Sequence, residues 1–97
     1  MIRHTAVFRL KHEAGSALEK DFLKALAKLK SINGVEKFEV LRQVSMKSEF
    51  KFGVSMEFAD QAAYDGYNFH PEHVAFVQDR WIPEVDAFTE IDYVALD

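Results

Sequence analysis

The chain has 97 residues, enough for one hydrophobic core and not two, and its 48% apolar and 29% charged content, with nine phenylalanines, is that of a folded globule. A net charge of −4 denies it the basic stripe that phosphate backbones require, so no nucleic-acid partner is expected. The absence of cysteine excludes disulfides, thiolate nucleophiles and cysteine-based metal sites, and no window reaches the run of about 18 apolar residues that would span a bilayer, so no membrane partner and a cytoplasmic location are expected.

Residues 2 to 10, IRHTAVFRL, alternate with period two, placing Ile2, His4, Ala6, Phe8 and Leu10 on one face and Arg3, Thr5, Val7 and Arg9 on the other. This predicts a first strand with a histidine on its apolar side. After the polar turn KHEAGS, in which His12 should be solvated, Ser16 and Glu19 have the spacing of a capping box. Leu18, Phe22, Ala25, Leu26, Leu29 and Ile32 then recur at helical spacing, predicting an amphipathic helix that ends at Asn33-Gly34. Its lysines, Lys20, Lys24, Lys28 and Lys30, are interleaved with Glu19 and Asp21 and read as a solvated face.

Residues 35 to 45 predict a second strand. FKFGVSMEF, residues 50 to 58, alternates more cleanly, with Phe50, Phe52, Val54, Met56 and Phe58 to one side, and predicts a third strand antiparallel to the second. Asp60 is a suitable cap for a short helix, DQAAYDGY, weakened by Gly66. A further helix starts at Pro71, with Val74, Val77, Trp81 and Val85 near one face, and Pro83 should kink or end it. The tail AFTEIDYVAL alternates again and predicts a fourth strand. The order βαββαβ is that of a single ferredoxin-like α+β domain over residues 1–97, an antiparallel four-stranded sheet with its helices on one face. The other face, with Thr5, Val7, Gly53 and Ser55, would be bare and half-apolar, which predicts a homodimer of stacked sheets.

Chemistry concentrates in YNFHPEHVAF, residues 67 to 76. His70 and His73 are three apart, and with His4 they would make an all-nitrogen metal site. The H-E-x-x-H spacing is missing and Pro71 leaves His70 at the helix cap, so no metal and no cofactor are expected. His73 falls at the third helical position, where the positive end of the helix holds an imidazole neutral and hence basic. Tyr67 lies close upstream, and His4 faces the helices that should carry both, so these three make an acid–base site. His70 reads first as a cap, and His4 alone as a hydrogen-bonded core histidine. Phe8, Phe22, Phe50, Phe52, Phe58 and Trp81 read as core, with an apolar pocket among them as the functional alternative. Glu36 with Glu39 and Asp86 with Glu90 read as strand-edge and surface charges.

IRHTAVFRL with its histidine, FGVSMEFAD, and AAYDGYNFHPEHVAFV together resemble the stress-responsive dimeric α/β barrel family over nearly the whole chain; the tyrosine followed by H-P-x-H and an apolar pair is the most specific piece. The resemblance implies a homodimer with a cleft between sheet and helices in each subunit. It also implies one activity found in the family, a cofactor-free aldol closure of linear polyketides by a tyrosine and a histidine. Tyr67 and His73 match that pair, and His4 matches a histidine of the same cleft. Phe52 stands where that activity has a further histidine, which changes the substrate expected.

The expected catalytic residues are therefore His73, Tyr67 and His4, and the expected ligand-binding residues are Phe8, Phe22, Phe52, Val54, His70 and Trp81, around an apolar or aromatic small molecule. Two alternatives are a non-enzymatic stress protein whose stability and oligomerisation are its function, and a cofactor-free monooxygenase-like enzyme.

Overall fold

The computed structural model describes residues Met1–Asp97. Its elements are β1 (Ile2–Leu10), α1 (Ala17–Ala27), β2 (Glu36–Arg42), β3 (Phe52–Phe58), α2 (Gln61–Phe69), α3 (Pro71–Phe76), α4 (Ile82–Glu84) and β4 (Val85–Tyr93). The strands form one sheet in the order β2-β3-β1-β4 with every neighbouring pair antiparallel, the ferredoxin-like α+β arrangement that the pattern predicts.

Register explains the core. His4 lies opposite Met56, Ala6 opposite Val54 and Phe8 opposite Phe52, so the apolar alternations of β1 and β3 coincide on one face. Phe22 and Leu26 of α1 close over that face with Leu29 and Ile32, and all are buried. Phe8 packs its ring against Phe22, Phe52 and Trp81 at centroid distances of 5.9, 5.7 and 5.0 Å. Hiding each such ring contributes about 1.5–3 kcal/mol.

Element ends differ from the sequence expectation for local reasons. The first helix stops at Ala27 and tightens into a 3-10 turn over Lys28–Ser31, which leaves Gly34, at a φ of 92°, in the following turn. β2 ends at Arg42, short of the expected Ser45, and carries a bulge between Glu36 and Glu39, where Lys37 takes a left-handed φ of 49°. β3 starts at Phe52, not Phe50, and β4 ends at Tyr93. Between α3 and α4 the chain widens into a π turn, Val77–Trp81, in which the Ile82 N–H donates to the Val77 carbonyl. A wide turn just before Pro83 relieves the clash that a proline ring makes with the carbonyl four residues earlier. Phe76, Val77 and Trp81 line the space above the sheet, while Val74, expected on the same face, is 40% exposed.

His12 is not solvated. Its Nε2 lies 2.7 Å from Glu84 Oε1, and the Arg80 guanidinium donates to Glu84 at 2.5 Å and to Asp21 at 2.7 Å, tying the turn after β1 and the helix α1 to α4. Arg80 holds the Glu84 carboxyl below its usual range, with His12 adding to the effect.

Candidate active-site cavity

The helices do not fill the space above the sheet. A cavity of about 430 Å³ lies between them. Its floor is the β1–β3 face, where Ala6 carries too small a side chain to occupy it, and its walls come from α1, the α2–α3 segment and β4. The lining is mostly hydrophobic, with polar groups from His4, Tyr67, Asn68, His73 and Glu90.

His73 reaches the cavity because of how α3 begins. His70 is the N-cap: its Nδ1 accepts the Glu72 N–H at 3.1 Å, and Pro71 occupies the first helical position. That start places His73 at the third position with its Nδ1 3.1 Å from the Asn68 carbonyl. A carbonyl only accepts, so Nδ1 carries the hydrogen and Nε2 keeps a free lone pair. Burial depresses the His73 pKa below its ordinary value of 6.5, outweighing the hydrogen bond to Asn68, which acts in the opposite direction. The ring is therefore neutral at pH 7.

Tyr67 packs against it, the ring centroids 4.3 Å apart and tilted by 39°. Tyr67 is only 2% exposed, yet its hydroxyl bonds to no protein atom and is not sealed off, since no buried polar side-chain atom lacks a partner. The hydroxyl thus opens on the cavity. Burial raises the Tyr67 pKa far above the phenol range, and the negative charge of Glu90 adds to this, so the group stays protonated and is a donor.

His4 belongs to a second cluster at the β4 side. Its Nδ1–H donates to Asp92 Oδ1 at 2.6 Å, and Glu90 Oε2 lies 3.5 Å away. The Tyr64 hydroxyl sits 3.0 Å from the same nitrogen and donates to Asp92 Oδ2 at 2.7 Å, with Glu90 Oε2 at 3.1 Å. The His4 ring lies 6.1 Å from that of Tyr67, centroid to centroid. His4 is thus both a hydrogen-bonded, 9% exposed core histidine and a member of the cavity wall.

Of the residues expected around a ligand, Val54 and Trp81 line the cavity. Phe8 and Phe22 are buried in the core outside its lining, Phe52 lines a smaller depression with Leu10 and Arg42, and His70 stays at its cap. The expected trio is brought to one cavity, and the polar partners of His4 are Asp92 and Tyr64. Tyr64, Glu90 and Asp92 are the residues that sequence reasoning misses. Glu90 is a cavity residue and not a bare surface charge. The spacing of Tyr64 to Tyr67, three residues on one helix, was the available signal for the first; Phe58 stacks on Tyr64 at 5.0 Å and meets Tyr67 at 5.2 Å.

The family model of the Stress responsive A/B Barrel Domain, Dabb, matches residues 2–95. The chain belongs to the Dabb family. A Dabb family protein with a ferredoxin-like fold from Mesorhizobium loti is 62% identical over 99% of this chain and 97% of that one, with a TM-score of 0.97. Two more distant structures share the Dabb fold. A dimeric ferredoxin-like protein of unknown function from Thermobifida fusca is 20% identical over 97% of this chain and 90% of its own, with a TM-score of 0.79. The hydroxynitrile lyase of Passiflora edulis is 14% identical over 99% and 94%, with a TM-score of 0.83. The curated proteins contain no match. No helix of this Dabb chain is long and apolar enough to cross a membrane.

Proposed function

We propose that this Dabb protein is a homodimer whose cavity binds an apolar or aromatic small molecule and performs cofactor-free acid–base chemistry on it. The observation that carries the reading is the pairing of Tyr67 and His73: an unengaged phenol donor and a neutral imidazole with its Nε2 lone pair free, side by side on an otherwise apolar cavity. A molecule with a carbonyl toward Tyr67 presents its α-carbon to His73. The imidazole takes the α-proton on Nε2, the electron pair moves onto the carbonyl oxygen, and Tyr67 donates to the oxygen as charge develops there. His4, its Nδ1–H held by Asp92, orients or polarises the other end of the ligand. The occurrence of a lyase on this fold in Passiflora edulis is consistent with such use of the cleft.

Trp81, the chain's one tryptophan, lies on the cavity wall and makes the test direct. A panel of aromatic and polyketide-like carbonyl compounds is titrated against the wild type, His73→Ala and Ala6→Leu, with Trp81 emission and turnover both followed. Saturable binding by the wild type, its loss in Ala6→Leu, which fills the cavity, and loss of turnover in His73→Ala are expected. Equal binding and turnover by all three proteins would sink the proposed site, whereas a wild type that neither binds nor turns over any of these compounds would favour the non-enzymatic stress-protein alternative.

A further inference from the structure

The charge around the cavity is one-sided. No lysine or arginine lines it, and its one carboxylate, Glu90, stands at the β4 side with Asp92 directly behind His4. Glu90 and Asp92 share the Tyr64 hydroxyl and the His4 Nδ1–H between them. The only cation-capable groups facing the space are imidazoles, and His73 is neutral at pH 7. The arginines and lysines of the sheet are engaged or distant: Arg3 with Glu57 and Arg9 with Asp86 belong to the opposite face of β1.

An anion entering this space would give up its hydration, meet no fixed cation and lie near two carboxylates. A neutral ring compound faces none of these costs, and its carbonyl or hydroxyl oxygen finds the Tyr67 donor. We propose that the cavity selects an uncharged, carbonyl- or hydroxyl-bearing ring compound and rejects the corresponding carboxylate, with Glu90 as the residue that sets this discrimination. The inference rests on the cavity being a ligand site and adds the class of ligand. Glu90 is half exposed, so its field is partly screened and the discrimination depends on salt.

The probes are phenylacetone, phenylacetate and phenethylammonium, which share a ring and differ in charge. Each is titrated into the wild type and Glu90→Gln at pH 7.5, in low and high salt, with affinity read from Trp81 emission and from the amide spectrum. The expected result is that phenylacetone binds about tenfold or more tightly than phenylacetate, a difference of about 1.4 kcal/mol or more. Glu90→Gln or high salt narrows that gap several-fold by strengthening phenylacetate binding. The salt arm needs no variant, so a Glu90→Gln protein that folds poorly does not block the test. Phenylacetate binding as well as the ketone in the wild type overturns the inference while leaving the cavity reading intact. Tighter binding of phenethylammonium than of the ketone overturns it in favour of a cation site. If none of the three perturbs Trp81, the cavity reading fails and the inference fails with it.

Discussion

At the scale of single residues, the two histidines of H-P-E-H have separate tasks set by their backbone positions. His70 uses Nδ1 to accept a helix N–H, whereas His73 uses Nδ1 to donate to a carbonyl, so only His73 has a basic nitrogen to spare for the cavity. The depressed pKa of His73 has a thermodynamic consequence. Its folded-state value lies below the ordinary 6.5, so the unfolded chain takes up a proton first as pH falls, and stability present above about pH 6.5 is lost on acidification. His73→Gln should therefore show a smaller drop in Tm between pH 7.5 and pH 5 than the wild type; thermal melts across that range are the check, and parallel curves would contradict it. His73 was legible in the sequence because its position follows from Pro71. Asp92 and Glu90 were not, because their importance comes from register: β1 pairs with β4 so that His4 meets Asp92 and Ala6 meets Glu90, across more than 80 residues of chain. An acidic alternation in a terminal strand looks like solvent exposure until that pairing is known.

Among the elements, the α2–α3 junction does most to shape the site. Asp60 caps α2 by accepting the Ala63 N–H, and α2 places Tyr64 and Tyr67 on one face above Phe58. The chain then breaks at His70, whose extended backbone is what a residue before proline adopts, and restarts as α3 with His73 turned back toward Tyr67. Removing the cap in His70→Ala should cost about 1 kcal/mol or less, a Tm loss of about 4–8 °C at most for a domain of this size. Ligand affinity should change little, because His70 does not line the cavity. Calorimetric melts and Trp81 titrations on the same sample separate the two effects, and a large affinity loss with unchanged Tm would make His70 a ligand contact. Helix starts and the β1 and β3 alternations were readable because they depend on neighbouring residues. The π turn and the Lys37 bulge were not, since each is a compromise between local chain and distant packing, at Pro83 in one case and at the β2–β3 register in the other.

At the scale of the whole molecule, the sheet has a face that nothing in one subunit covers. The register aligns Leu41, Gly53, Val7 and Thr89 in one row and Glu39, Ser55, Thr5 and Ile91 in the next. Leu41, Ile91 and Tyr93 are 43%, 45% and 51% exposed there. Such a half-apolar surface suits a second copy of the sheet, and the fold relative from Thermobifida fusca is itself dimeric. Sedimentation at micromolar concentration should give a dimer for the wild type and a monomer for Ile91→Glu; a monomeric wild type would contradict the proposed assembly. The bare face was visible from the alternation alone, as the mixed side of each strand, whereas the cavity on the opposite side was expected only from the family resemblance and as an alternative to a filled aromatic core. A void is a property of how Ala6, Trp81 and the helices fit together, and no single residue announces it.

The most direct test of the account is long-range ¹H–¹⁵N NMR of the imidazole rings at neutral pH, with and without phenylacetone. A neutral His73 protonated on Nδ1 is expected, with its Nε2 resonance shifting as ligand saturates the cavity. A His73 protonated on Nε2, or an Nε2 resonance that stays fixed while phenylacetone binds, would contradict it.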